Sequence, residues 1–337
     1  MTDLAVPSFW DLVGESFDET TANHARVATQ WRPCPACVAA GGYDRERWQR
    51  SKPDGSPAKD SGWPLEGHSH GRPEQIPPDT DWWMFVVRAG RGFGKTRSYC
   101  EWLIERRIAY PGTYGALAMP TLKELRGIAF DGESGLIACL TNRGMREGVD
   151  YRYNRTLFEI TILGKNGAKD SKIQGFSSEA PEVGRGFQSH DLVIDEPGTF
   201  RDQHLPRDQQ LYQNLKLGHR LPMPDGSPNR EFVTGTPRRR PFVREILAKV
   251  EGLVARGLGV LVTGSTRDNA GNLAGSFLEE ILSLDGTQLG LQEIEGLLLG
   301  DVEGALWKQA SIELGRQAPA LGFTETLTRR IISVDPA

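Results

Sequence analysis

The sequence predicts an α/β fold built on a mostly parallel sheet with helices on both faces, and three observations carry that expectation. A glycine-rich, lysine-ended stretch, Ala89-Gly90-Arg91-Gly92-Phe93-Gly94-Lys95-Thr96, directly follows the apolar run Trp82-Trp83-Met84-Phe85-Val86-Val87. One hundred residues past Lys95, the apolar Leu192-Val193-Ile194 leads into the adjacent carboxylates Asp195-Glu196. From Arg72 onward, strand-like runs at 82–88, 114–119, 172–177, 191–195, 230–235 and 258–264 are separated by several helical segments, the alternation of a parallel sheet.

The first run and its loop define a strand, a turn and a helix. Val86-Val87 closes the strand, and Cys100, Leu103, Ile104 and Ile108 then recur at helical spacing. A polyphosphate needs many N–H donors in a small arc, and glycine lets the backbone come that close. Gly90, Gly92 and Gly94 supply this freedom around Arg91 and Phe93, and the helix that follows directs its N-terminal dipole at an anion. Lys95 is expected to bridge β- and γ-phosphates and the Thr96 hydroxyl to ligate Mg²⁺, in a P-loop whose first position carries Ala89 instead of glycine. Arg91 is either a phosphate contact or an exposed loop arginine.

The second buried strand ends in the two acids. Asp195 is expected to position Mg²⁺ and Glu196 to act as the general base that orients water, although carboxylates at strand ends are also common as solvated turn residues. The pattern is that of a nucleotide hydrolase. A guanine-reading [NT]-K-x-D motif is missing downstream of the loop, the nearest match being Ser51-Lys52-Pro53-Asp54 upstream, so ATP is the expected nucleotide.

Composition narrows the class without naming a partner. The chain has 337 residues, 38% hydrophobic and 25% charged, with a net charge of −4, so any nucleic-acid contact must use local patches such as Arg238-Arg239-Arg240, which reads equally as a solvated loop. No apolar run reaches the length of about 18 residues needed to span a membrane, and the start lacks a basic-then-apolar signal, which predicts a cytosolic protein. Cys100 fits the buried face of the helix after the loop, and Cys139 sits near the end of another. Cys34 and Cys37 form half a zinc knuckle that His68 and His70 would complete at atypical spacing; two free thiols are the default expectation.

Residues 1–70 read as an appendage and linker, and 71–265 as the α/β core with an antiparallel excursion at 151–162. After about Thr266 strands give way to Leu-rich helical patterns up to 328. Further stretches are more specific. They are Arg72-Pro73-Glu74-Gln75, Pro120-Thr121, Asp131-Gly132-Glu133-Ser134-Gly135-Leu136, Phe176-Ser177-Ser178-Glu179, Arg185-Gly186, Thr234-Gly235-Thr236-Pro237-Arg238, Thr266-Arg267-Asp268-Asn269, Gln292-Glu293 and Gly304-Ala305-Leu306-Trp307. In this order and spacing the chain resembles, over roughly residues 70–337, the large terminase subunit of tailed bacteriophages, the motor that packs DNA into capsids.

The resemblance implies a P-loop NTPase core of the additional-strand type, a small helical lid over 266–328 that couples hydrolysis to DNA movement, and an RNase H-like nuclease domain beginning at 329–337. It implies double-stranded DNA, portal protein, procapsid and the small terminase subunit as partners, a homo-oligomeric (pentameric) ring when active, and action in the cytoplasm of an infected bacterial host. Gln75 resembles an adenine-reading glutamine, and by itself is an ordinary polar linker residue. Arg185, eleven residues before Glu196, stands where such motors place an arginine that reaches a neighbouring subunit's γ-phosphate; a loop salt bridge is the alternative. Thr234, Gly235 and Thr236 resemble the coupling motif that senses the γ-phosphate; the same letters also suit a strand-to-helix turn with Thr236 as N-cap and Pro237 at the first helical position. Asp335 resembles the first nuclease carboxylate, and one aspartate cannot assemble a two-metal site, so no nuclease activity is expected. Two other functions share the loop and the acids. A superfamily-2-like helicase needs a second domain, for which about 70 residues after Thr266 are too few. The other is a non-hydrolysing ATP-dependent DNA clamp, against which the intact set Lys95, Asp195 and Glu196 argues.

Overall fold

Strands buried on both faces read as continuous apolar runs, and the sheet is built from such runs. The computed structural model describes residues 71–298 apart from Arg239; these belong to the first of two compact units, Met1–Leu298 and Leu299–Ala337. The Cys34, Cys37, His68 and His70 candidates, the Gly304–Trp307 stretch and Asp335 lie outside the described residues. Eight strands, β1 (Met84–Ala89), β2 (Tyr114–Met119), β3 (Tyr151–Asn154), β4 (Glu159–Ile162), β5 (Ser171–Ser177), β6 (Asp191–Asp195), β7 (Arg230–Gly235) and β8 (Gly259–Gly264), form one sheet in the order β3-β4-β5-β2-β6-β7-β1-β8. From β5 to β8 every neighbouring pair is parallel, while β3, β4 and β5 pair antiparallel, as the 151–162 excursion predicts. β7 separates the loop strand β1 from the acid-bearing β6.

Alternation along each strand divides the core into two layers. Phe85, Val87, Leu117, Val193 and Phe232 face one side, against Tyr99, Trp102 and Leu103 of helix α1 (Lys95–Ala109) and Leu136 and Leu140 of α2 (Leu136–Asn142). Met84, Val86, Ala116, Leu192, Ile194 and Val233 face the other, against Leu211 and Leu215 of α3 (Leu211–Gly218) and Val243, Ile246 and Val250 of α4 (Pro241–Val254). After β8 the chain turns through a 3₁₀ helix (Thr266–Asn272), α5 (Gly275–Leu282) and α6 (Gln288–Glu293), with no further strand among the described residues. None of the described helices is long and apolar enough to cross a membrane.

Two local expectations change. β1 extends to Ala89, which pairs with Gly264 and is fully buried. The first position of the loop motif is therefore a strand residue with no left-handed backbone to accommodate, and alanine fits it. Helix α4 begins at Pro241 with Arg240 as its cap residue, so Thr236 is not an N-cap and Pro237 does not open a helix. The missing cap has a physical reason: the Thr236 hydroxyl is bonded elsewhere, to Glu196.

A buried ion cluster fixes α1 on β6. Asp191, fully buried at the start of β6, accepts from Arg106 Nε and Nη2 at 3.1 Å each and from Arg107 Nη2. Burial alone would raise the Asp191 carboxyl, but the Arg107 and Arg106 charges prevail and hold it below its ordinary value of 3.8. Removing one partner of such a pair strands the others, at about 3–5 kcal/mol. Asp191→Ala should lower the unfolding free energy measured by denaturant titration by that order. A depressed folded value means that the stabilisation is present above the ordinary carboxylate range and is lost as pH falls through the folded value. Acid unfolding of the parent should therefore include a component that is missing from the variant.

Candidate functional site

Strand register decides what meets the loop. Arg88 of β1 lies opposite Gly235 of β7, and Asp195 of β6 opposite Thr234, so the loop, the Thr-Gly-Thr turn and the two acids leave the sheet at one edge. They open on a cavity of about 700 Å³ lined by Gln75, Arg91 to Thr96, Asp195, Glu196 and Thr236, with Arg238 and Asn269. The two loop glycines Gly92 and Gly94 have φ of 76° and 94°, the left-handed region that glycine enters without strain.

Lys95 is held by its own loop. Its Nζ donates to Ala89 O at 2.9 Å, Gly90 O at 3.0 Å and Thr236 Oγ1 at 3.2 Å, and lies 3.7 Å from Glu196 Oε1. Asp195 is buried, accepting from Tyr99 OH at 3.0 Å and Thr234 Oγ1 at 2.5 Å. Burial first, and the neighbouring Glu196 charge second, push its carboxyl up to about 7, against the two hydroxyl bonds and Lys95. Burial and then the Asp195 charge push the Tyr99 phenol well above its ordinary range, so it remains a donor.

Glu196 turns the corner. Its backbone is left-handed, φ 48° and ψ 51°, a conformation that costs a non-glycine residue about 1 kcal/mol or more and here swings the carboxylate across the end of β7. Both carboxylate oxygens accept from Thr236 N at 3.1 Å, and Oε1 also accepts from Thr236 Oγ1 at 3.1 Å. Thr234 and Thr236 thus hold one acid each, and Gly235 between them packs against Glu196, where an added Cβ would stand 3.7 Å from Oε2.

The Mg²⁺ expectation fits these residues. Thr96 and Asp195 offer two hard oxygens on one cavity, and a dehydrated carboxylate raised toward neutrality is one whose ionised form a cation stabilises. Among the described residues no group of three or more His, Cys, Asp or Glu side chains comes together as a ready-made metal site. A bound Mg²⁺ would complete its shell with phosphate oxygens and water.

The remaining candidates divide. Gln75 lines the cavity, its Nε2 donating to Gly94 O at 3.1 Å and its Oε1 accepting from Arg72 N at 3.1 Å. Arg91 borders the cavity and its Nε pairs with Glu293 at 3.4 Å. Arg185 does not line the cavity; it is exposed, donating to Asn214 Oδ1 at 3.4 Å and Asp208 O at 3.5 Å. The sequence reading missed Tyr99, whose signal was its place one helical turn after Lys95 and Thr96. It also gave no role to Arg72 or Asn269, and read Arg238 only as part of a basic patch or a solvated loop; Arg72 and Arg238 each have a buried Nε with no hydrogen-bond partner.

The fold and cavity define an α/β P-loop structure with one extra strand between the loop strand and the acid-bearing strand. No family model matches the sequence, and no curated protein matches it. Among solved structures, the large terminase of a thermophilic bacteriophage, in complex with ADP, superposes with TM-score 0.50 and 17% identity, over 68% of this chain and 50% of that one. The Thermus phage P74-26 large terminase ATPase domain matches with TM-score 0.47 and 15% identity, over 66% of this chain and 90% of that one. The fold is thus the one found in the ADP-bound large terminase, of which this chain spans half the length.

The loop geometry makes one structural prediction. An alanine Cβ at Gly94 would stand 2.2 Å from Gln75 Nε2, on a backbone with φ 94°. Gly94→Ala should lose about 1–3 kcal/mol by thermal or chemical denaturation. Adding Gln75→Ala should recover the steric part of that loss and leave the backbone part.

Proposed function

We propose that this chain is the ATP-hydrolysing motor part of a viral terminase large subunit, driving double-stranded DNA into a procapsid. The observation that carries the reading is the meeting of Lys95, Asp195, Glu196 and Thr236 at one cavity beside the glycine loop. In this reading Lys95 exchanges its loop carbonyls for the β- and γ-phosphate oxygens, and Gln75 lies at the base end. Glu196, aimed by Thr236, takes the proton from the attacking water. Thr96 and Asp195 would hold Mg²⁺, which when bound supplies charge neutralisation on the phosphates. As water attacks and charge moves to the leaving phosphate, Thr236 is the residue touching both the lysine and the base, which suits the coupling role.

The assembly and partners belong to the same proposal. A ring of subunits on a portal, with a small terminase subunit, in the cytoplasm of the infected bacterium, accommodates Arg185 away from its own cavity and free to serve a neighbour's. For DNA, Arg238 and Arg240 line a second concavity with Arg201 and with Arg207, which pairs with Glu245, a patch richer in arginine than in acid on a chain of net charge −4.

Two experiments test the reading. Glu196→Gln should retain Mg·ATP binding and lose hydrolysis by about 10²–10⁴-fold, while Lys95→Ala weakens both; a Glu196→Gln chain that hydrolyses at the parental rate refutes the base assignment. For Arg185, activity per subunit should rise with protein concentration, and mixing Arg185→Ala with Glu196→Gln subunits should restore part of the hydrolysis. Concentration-independent activity with no complementation would remove Arg185 from the mechanism.

A further inference from the structure

A phosphate loop can offer its N–H groups to an anion only if its carbonyls are turned away and satisfied, because the C=O and N–H of a trans peptide point in opposite directions. Four consecutive carbonyls are satisfied here, each by a different side chain. Thr266 Oγ1 donates to Arg91 O at 2.6 Å, Asn269 Nδ2 to Gly92 O at 2.6 Å, Arg72 Nη2 to Phe93 O at 2.6 Å, and Gln75 Nε2 to Gly94 O at 3.1 Å. Holding these carbonyls outward turns the N–H groups of Gly92, Phe93, Gly94 and Lys95 toward the cavity.

The four donors come from two places, the segment before β1 and the segment after β8, and Asn269 joins them. Its Oδ1 accepts from Arg72 Nη1 at 2.5 Å while its Nδ2 holds the loop. Arg72 is buried, with its guanidinium 4.7 Å from the centre of the Phe93 ring. The backbone after β8 also rests on the start of the loop: Arg91 N donates to Glu293 O at 2.6 Å, and a Cβ at Gly90 would stand 2.2 Å from Ile294 O.

We infer that Asn269 is a positioning residue that sets the phosphate loop in its anion-binding conformation and links nucleotide occupancy to the placement of the segment Thr266–Ile294. This rests on the proposal above that the loop takes a nucleoside triphosphate. Linkage makes the coupling reciprocal: whatever the segment does for nucleotide affinity, the nucleotide does for the order of the segment.

Asn269→Asp separates this role from simple packing. Aspartate keeps the shape and still accepts from Arg72, but it cannot donate to Gly92 O. The full chain should be compared with Asn269→Asp and with Thr266→Val, which removes the hydroxyl bonds to Arg91 O and, at 3.3 Å, to Glu293 O. The readouts are equilibrium binding of a fluorescent ATP analogue with Mg²⁺, steady-state hydrolysis, and hydrogen exchange over residues 265–294. We expect Asn269→Asp to weaken binding and raise KM about ten-fold with little change in kcat, and Thr266→Val to shift them the same way. The analogue should slow exchange over 265–294 in the parent and fail to do so in Asn269→Asp. Parental binding that is unaltered in Asn269→Asp, or nucleotide binding without protection of 265–294, overturns the inference. A parent chain that binds no ATP analogue would instead overturn the nucleotide reading, and this inference with it.

Discussion

Helix α1 and strand β6 are tied together at both ends of the strand, and the geometry of the cavity follows from that. At the start of β6, Asp191 sits between Arg106 and Arg107 from the last turn of α1; at its end, Asp195 receives the Tyr99 hydroxyl from near the start of the same helix. Lys95 opens α1 and Asp195 closes β6 with Glu196 directly after it, so the spacing between the loop lysine and the carboxylates is a property of this rigid pair. Aromatic packing fills the span between the ties, with Trp102 set edge-on against Phe232 at 5.4 Å and tilted against Trp82 at 5.7 Å. A buried ion cluster adds little net stability over an apolar one of the same volume. What it contributes here is register, since both guanidiniums meet Asp191 together only with α1 seated on β6 as it is.

The strand between β1 and β6 gives the second constraint. Because β7 lies between the loop and the acids, its C-terminal turn is adjacent to both, and Thr236 reaches Lys95 and Glu196 at once. Glu196 accepts a left-handed backbone to complete this link, and the bonds from Thr236 hold it there. From Thr236 the chain runs through Pro237 and Arg238 directly into α4, so a change at the Lys95–Thr236–Glu196 cluster has a short covalent route to a helix on the opposite face of the sheet.

Much of the fold was legible because parallel strands write themselves as apolar runs: all six predicted runs became strands with ends shifted by at most two residues, as with 82–88 against Met84–Ala89. The loop, the acids and the threonine turn stood out because their residue types and spacing are distinctive, and the structure brings them to one cavity. What the letters did not carry was side-chain traffic between distant segments. Thr236 and Pro237 have the letters of a helix start, yet the hydroxyl that would have capped the helix is committed to Glu196, and the helix starts at Pro241. Tyr99 reads as one more apolar residue on the buried face of α1, and only the fold shows its hydroxyl on Asp195. Asn269 belongs to one of the stretches that carry the resemblance, but its role was not legible, because its partners Arg72 and Gly92 are remote in sequence.

The glycines of the loop show why a motif read for its ligand alone is incomplete. Close approach to phosphate is the reason the sequence motif suggests for them, and each is also crowded from the outside by protein. A Cβ at Gly90 would meet Ile294 O at 2.2 Å, at Gly92 the Leu273 side chain at 3.0 Å, and at Gly94 the Gln75 amide at 2.2 Å. The loop is a two-sided element, with the cavity inside and a protein clamp outside, and glycine fits both faces. The carbonyls that Lys95 occupies, Ala89 O and Gly90 O, belong to the stretch of loop where β8 and the Glu293–Ile294 backbone make contact, through Gly90 N on Gly264 O at 3.0 Å and Arg91 N on Glu293 O. A phosphate that takes Lys95 takes it from those carbonyls, so the first electrostatic change on binding falls where the loop touches the segment after β8.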